Sequence, residues 1–331
     1  MSVETQEYVN GMRPGPLTRE IPECMRDKYT VVQAIIDIIM FVIVGIGYVI
    51  KAVYLSIVGR PKKDLKGAIA VVTGGGGGLG SLIALRLARL GCTVVLWDIN
   101  KQVILFNFQV NLLINNAGVV SGSYLLDTPD HLIQRTFDVN ILAHFWTAKA
   151  FLPAMMEHNN GHIVTIASMA GHVGVAKLVD YCSSKAAACG FDEALRLELE
   201  TQGYTGVKTS LICPYFIRST GMFEEVNSRF VPQLNSNDVA DRVVMAIRTD
   251  EPFALIPGFF RVLLPFKLLV PWPCMSELIR RLVPDAAPVP VHPARPATDA
   301  KVPSKTVQLE AKHGAPGPMT VMPPARHDRQ V

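Results

Sequence analysis

The 331 residues are 49% hydrophobic and 18% charged, too apolar for a disordered binder and for a cytosolic enzyme without a membrane segment. A formal charge of +4, spread without a basic block or zinc-finger spacing, excludes nucleic acid as the main partner. Six cysteines with no C-x-x-C pair fit a reducing compartment rather than a secreted disulfide framework.

In chain order, residues 1–30 form a polar segment of mixed charge, and residues 31–58 an apolar run interrupted only by Asp37 and Lys51. About 20 helical residues cross a hydrocarbon core of about 30 Å, so the run reads as an uncleaved anchor; a hairpin or an in-plane helix stays open. Asp37 and Lys51 lie near its ends, where side chains can reach the interface. Arg60, Lys62, Lys63 and Lys66 follow it, against Arg19, Arg26 and Lys28 before it, which leans the downstream part toward the cytosol.

Residues 64–257 alternate short β-branched runs with amphipathic stretches, the pattern of a doubly wound parallel α/β sheet. Residues 258–283 are apolar but broken by Pro265, Pro271 and Pro273, which suits a broken helix on a membrane surface or a lid on the core. Residues 284–331 are rich in proline and poor in aromatic and long aliphatic residues, so a disordered tail is expected.

Within the α/β part, the strand Ala68 to Thr73 runs into the turn Gly74 to Gly80 and a helix closed by Gly91. Glycines permit a tight turn and close approach of backbone to a pyrophosphate, while the helix N-terminus offers N–H groups and a positive dipole end. Two glycine patterns fit at once, one through Gly75, Gly77 and Gly80, the other through Thr73, Gly74, Gly78 and Gly80. Ser81 and Leu82 follow, with no lysine for a nucleoside triphosphate. The second strand, Thr93 to Trp97, ends in Asp98, where a carboxylate can accept both ribose hydroxyls and would repel a 2′-phosphate; this favours NAD over NADP.

Tyr181 and Lys185, four residues apart, share one face of a helix. An ammonium beside a phenol is expected to lower its pKa toward the working pH of an acid/base. Thirteen residues upstream, Ser168 follows the strand His162 to Ala167 and puts a hydroxyl at the carboxyl edge of the sheet. No metal-ligand spacing occurs, so no metal site is expected, and His162 and His172 read as exposed or capping residues.

The glycine turn, Asn115-Asn116-Ala117-Gly118, Asn140 in FDVN, Ser168 and the Tyr181/Lys185 pair together resemble the short-chain dehydrogenase/reductases, in their membrane-bound retinoid and steroid branch. The resemblance covers about residues 31–282 and implies a Rossmann-type fold with a nicotinamide cofactor. It implies that Tyr181 exchanges a proton with the substrate hydroxyl, Ser168 hydrogen-bonds the same oxygen, Lys185 holds phenolate and ribose, and Asn140 fixes a relay water. Thr73, Gly74, Gly78, Leu79, Gly80, Asp98, Asn116, Ala117, Gly118, Pro214 and Ile217 would line the cofactor site. The implied substrate is a lipophilic alcohol, all-trans-retinol first and a steroid or fatty alcohol second. The implied location is the endoplasmic reticulum membrane or a lipid droplet, in contact with membrane lipid, and a homodimer stays open.

The chain departs from the family at two places. Where the family reads Pro-Gly, this chain has Pro214-Tyr215. Only Lys101 to Asn111 separates the second strand from the next, where the family places helix, strand, helix. A crossover with its helix needs at least about 10–12 residues, so the third strand is missing and one sheet edge is lost. Val103 to Phe106 would lie beside that edge, and the shortened chain is expected to hold its cofactor less tightly, or to persist as an inactive lipid-surface protein.

Overall fold

A computed structural model describes residues 31–98, 109–218, 222–228, 231–283 and 285–288. The polar N-terminal segment, the stretch containing Val103 to Phe106 and the tail beyond residue 288 lie outside the described residues.

Helix α1 (Val31–Val58) is apolar on all sides, and its stretch Ile35–Leu55 is long and apolar enough to cross a bilayer, with none of it buried. Asp37 accepts a hydrogen bond from Gln33 Nε2 at 3.0 Å, one turn earlier, which offsets part of the cost of a carboxylate among apolar neighbours.

Six parallel strands follow: β1 (Ile69–Thr73), β2 (Thr93–Trp97), β3 (Leu112–Asn115), β4 (Gly161–Ile166), β5 (Val207–Pro214) and, after a short β6 (Phe223–Asn227), β7 (Phe253–Ile256). Their order in the sheet is β2-β1-β3-β4-β5-β7. The chain therefore leaves β1 toward β2 and returns on the other side to β3, which makes the carboxyl ends of β1 and β3 the switch point where open α/β sheets bind ligands.

Strand alternation feeds two cores. Val72, Ile114, Val164 and Ile212 face Ile83 and Leu87 of α2 (Gly78–Arg89), together with Val243 and Ile247 of α6 (Ser236–Arg248). Val71, Leu113 and Ile163 face Met155 of α4 (Ala143–Glu157) and Leu199 of α5 (Val179–Thr201). The preceding helix, α3 (Asp130–Phe137), runs into α4 through a π-turn, Asp138–Leu142. After β7, three short helices, α7 (Phe260–Leu263), α8 (Phe266–Leu269) and α9 (Trp272–Leu282), close over the carboxyl side of β5.

Among the described residues β2 pairs with β1 alone, so the sheet ends there, as the shortened link requires. Two expectations are corrected. Asp285–Pro288 is not part of a disordered tail but a strand, β8, antiparallel to β6; main-chain pairing needs no apolar side chains, and proline is tolerated on such an edge. His162 is neither exposed nor a cap. It sits on the central strand β4, covered on both faces, with Nδ1 2.8 Å from Lys63 Nζ and Nε2 2.9 Å from Ser210 Oγ.

Candidate active site

The switch point is tied together by the residues that close its turn. Thr73 Oγ1 accepts from the amides of Asn116 and Ala117 at 3.0 Å each, and Asn116 Nδ2 donates back to Thr73 O at 3.0 Å. Gly74 has φ +63°, and a Cβ on Gly80 would lie 2.2 Å from Gly74 O, so only glycine fits either position. These contacts press α2 onto the turn with its N-terminus facing the carboxyl edge of the sheet. Asp98 stands at the end of β2, its Oδ2 accepting from Gly76 N at 3.0 Å, which places a carboxylate against the turn.

Beyond the turn opens a cavity of about 490 Å³. Leu79, Asn116, Gly118, Pro214 and Ile217 line one end, Ser168, Tyr181 and Lys185 its floor, and Phe260, Leu264, Met275 and Leu282 its apolar roof. Ser168 stands in extended conformation two residues after β4; its Oγ accepts from Ala170 N at 3.1 Å, caps the 3-10 turn that follows, and lies 3.4 Å from Pro214 O. The hydroxyl of Tyr181 is hydrogen-bonded to that of Ser168. Lys185, one turn further along α5 and 3% exposed, donates to Ile166 O at 2.8 Å, with Nζ 5.9 Å from the centre of the Tyr181 ring.

The electrostatics differ from the expectation of a lowered phenol. Burial pushes Tyr181 up to about 12, against the smaller lowering from Ser168. The same burial pulls Lys185 down to about 8. The Lys185 ammonium donates to the Ile166 carbonyl, and desolvation is the largest influence on both groups.

Asn140 is fully buried in the π-turn and spends its side chain on structure: Oδ1 accepts from Val119 N at 2.8 Å, and Nδ2 donates to Val119 O and to Ser184 Oγ at 2.9 Å each. It braces α5 beneath Tyr181, since Ser184 in turn donates to Tyr181 O. A Cβ on Gly118 would lie 3.5 Å from both Asn140 Oδ1 and Lys185 Nζ, so the three residues share one corner. Thus Leu79, Asn116, Gly118, Ser168, Tyr181, Lys185, Pro214 and Ile217 meet at the cavity, while Thr73, Gly74, Gly78, Gly80, Asp98, Ala117 and Asn140 flank or support it.

The roof comes from the segment read as a lid or a membrane-surface helix, and Tyr215 joins it. Its hydroxyl lies 2.9 Å from Ser228 Oγ and its ring packs 5.5 Å from Phe260, so it fastens the roof to β5. Its backbone is outside the left-handed region, so the family's glycine is not required there. The signal was the departure from Pro-Gly itself.

Comparison with known proteins agrees with this geometry. Residues 102–230 match the family described as short chain dehydrogenase. The chain is 38% identical to bovine short-chain dehydrogenase/reductase family 16C member 6 over 262 residues, covering 67% of this chain and 83% of that protein. It is 38% identical to human epidermal retinol dehydrogenase 2 over 261 residues (67% and 84%), and 38% identical to human estradiol 17-beta-dehydrogenase 11 over 258 (67% and 86%). The 262 aligned positions of the bovine relative occupy 67% of 331 residues, about 222, a net shortfall of about 40. Among solved structures, a short-chain dehydrogenase/reductase from Burkholderia phymatum in complex with NAD superimposes with a TM-score of 0.52 at 25% identity, covering 60% of this chain and 92% of that one. A parallel sheet with its glycine turn at the switch point, a serine and tyrosine in contact across one cavity, and these relatives establish that the chain belongs to the short-chain dehydrogenase/reductase family of NAD(P)-dependent oxidoreductases.

Proposed function

We propose that the protein is a membrane-anchored, NAD-dependent dehydrogenase that oxidises a lipophilic alcohol, all-trans-retinol or a compound of similar shape. The observation that carries this reading is the Ser168–Tyr181 hydroxyl pair on the floor of an apolar cavity, next to a turn that only glycine can build. The turn and the N-terminus of α2 suit a pyrophosphate, Asp98 an unphosphorylated ribose, and Asn116 to Gly118 with Pro214 and Ile217 the nicotinamide end. When bound there, the dinucleotide supplies the hydride acceptor.

The protein's own residues handle the proton. Ser168 Oγ donates to the substrate oxygen and orients it, and Tyr181 Oη takes the hydroxyl proton as the carbonyl forms. Lys185 receives the proton that the phenol gives up as it takes the substrate's, and Asn140 keeps α5 in place through Ser184. The apolar roof keeps water from the reacting atoms.

The lipid reading rests on two features. Helix α1 has the length and composition of an anchor, and α7 to α9 carry Leu268, Leu269 and Trp272 at 88%, 76% and 68% exposure on the same segment that roofs the cavity. A roof in contact with lipid gives a water-insoluble alcohol a short path inward. The names of relatives acting on retinol and estradiol support this class of substrate, with 17β-hydroxysteroids and fatty alcohols next in line. The resemblance to retinoid and steroid dehydrogenases supports a location at the endoplasmic reticulum or a lipid droplet, and the basic residues after α1 favour the cytosolic side for the α/β part. The edge at β2, which has no second partner strand among the described residues, favours a second reading, an inactive lipid-surface protein.

One assay decides between them. Full-length protein in microsomes is given all-trans-retinol and NAD, beside Tyr181→Phe, which keeps the ring and removes the acid/base. General acid/base catalysis is worth about 10²- to 10⁴-fold, so retinal output should fall by that factor. Equal output from both proteins overturns the enzyme reading.

A further inference from the structure

Behind the floor of the cavity, three side chains from separate segments converge. His172 follows the 3-10 turn after β4, Cys189 lies one helical turn beyond Lys185 on α5, and Cys213 is the penultimate residue of β5. His172 Nε2 lies 3.5 Å from Cys213 Sγ and 3.8 Å from Cys189 Sγ, and all three atoms lie within 4.8 Å of one another. The approach is built into the fold: a Cβ on Gly171 would lie 2.9 Å from Cys189 Sγ and 2.7 Å from Lys185 O, so glycine alone lets the turn reach α5. Cys213 is buried, Cys189 and His172 partly so, and the ring of Phe253 packs edgewise on the imidazole at 5.7 Å.

Zinc binds thiolate sulfur at about 2.3 Å and imidazole nitrogen at about 2.0–2.1 Å; tetrahedral geometry then sets neighbouring nitrogen and sulfur ligands about 3.6 Å apart. The two nitrogen–sulfur distances bracket that value. We propose that His172, Cys189 and Cys213 hold one zinc-type divalent cation through two thiolates and a neutral imidazole, with water or another small ligand on the fourth vertex. Both thiols release their protons to solvent when the ion binds, and nothing is oxidised. Two thiolates neutralise the dication, which suits a half-buried site that could not hold an unbalanced charge. Thiolate and imidazole select zinc over calcium or magnesium.

The site would act as a staple. Its ligands stand four residues after Ser168, four after Lys185 and one before Pro214, so a bound ion fixes the three elements that carry the floor of the cavity. This holds whatever the substrate, and the test does not depend on turnover.

Full-length protein in detergent, reduced and stripped with a chelator, is titrated with Co²⁺ as a spectroscopic substitute. The expected result is one equivalent bound, thiolate-to-cobalt charge-transfer absorption in the near ultraviolet, release of about two protons per ion, and displacement by Zn²⁺ with a raised melting temperature. Cys189→Ser and His172→Gln should each weaken binding by about tenfold or more, while Cys182→Ser and Cys274→Ser leave it unchanged. The absence of charge-transfer absorption in the reduced wild-type chain overturns the proposal, and that measurement needs no variant to fold. So does absorption that survives in both ligand variants, or a Cys189–Cys213 disulfide in metal-free protein purified without reductant.

Discussion

The sheet's two edges are finished differently. At one, among the described residues, the five residues of β2 pair on one side only, with Thr93 and Leu96 exposed and Trp97 in aromatic contact with Phe151. At the other, β7 is enclosed: Glu251, just before it, is gripped by Arg242 at 2.6 Å and Arg261 at 2.5 Å, Phe253 packs on His172, and α7 to α9 cover the strand ends. Ser168, Tyr181 and Lys185 sit on β4 and α5, toward the enclosed edge, and Asp98, which would hold the ribose of a dinucleotide, stands at the other. The shortened link after β2 is expected to weaken cofactor binding while leaving the proton-transfer groups packed. Affinity and chemistry can fail separately in this protein.

The largest effect expected from the enclosed half is on pH. The Tyr181/Lys185 pair carries two protons at low pH; burial raises the phenol to about 12 and lowers the amine to about 8, so the pair loses its first proton near pH 8. That proton comes off Lys185, and alcohol oxidation needs it gone, because Tyr181 can take the substrate's proton only as its own passes on to a neutral amine. Oxidation kcat/KM should therefore fall about tenfold per unit below pH 8 and level off above it, while carbonyl reduction shows the opposite slope. Linkage gives a second readout. The unfolded chain holds the lysine proton up to about 10.5 and the folded chain only to about 8, so this residue makes stability rise with pH between those values. A flat profile from pH 6 to 9 would show that the enclosed half is not poised for proton transfer.

The bare edge supplies the next effect. Replacing the link between Asp98 and Asn111 with a longer segment that supplies a helix, strand and helix should give β2 a second partner strand and cover Leu96. Each new ladder hydrogen bond adds about 0.5–1.5 kcal/mol, so NADH affinity by nicotinamide fluorescence should improve about tenfold and the melting temperature should rise. The pH limb should stay where it is. If the graft moves the limb and leaves affinity alone, the two edges are not independent.

Much of this division was legible in the sequence. The glycine turn, the Tyr181/Lys185 spacing, Ser168 at a strand end and the loss of an edge after Asp98 all follow from local pattern and chain length. The rest depended on packing between distant segments. A proline-broken apolar run reads equally as a lid or a membrane-surface helix, because periodicity carries no information about which face meets the core; α7 to α9 line the cavity with one face and expose the other. His162 looked like a surface histidine until β4 took the centre of the sheet. His172, Cys189 and Cys213 have no characteristic spacing, since three different elements deliver them. Desolvation of Tyr181 was hidden for the same reason: a spacing of four predicts proximity to Lys185, not burial.

The smallest effect tests whether the enclosed half tightens the cavity or only covers it. Tyr215 is buried, with its ring 4.9 Å from Phe216 and 5.5 Å from Phe260 and its hydroxyl 2.9 Å from Ser228 Oγ. Tyr215→Phe keeps both ring contacts and removes one hydrogen bond. Ser228 Oγ still donates to Val231 O at 2.6 Å, so no buried donor is orphaned, and the loss should be about 1 kcal/mol rather than the larger cost of an unpaired group. For a domain of this size that is about 2–4 °C in melting temperature. Because Tyr215 fastens β5 to the roof, the looser roof should raise KM for the lipophilic alcohol a few-fold while kcat and NADH affinity stay unchanged. The cofactor end is held by Thr73, Asn116 and the glycine turn, none of which Tyr215 touches. A drop in NADH affinity as large as the rise in KM would mean that the roof and the dinucleotide turn move as one body, and the contrast between the two edges would then be one of appearance only.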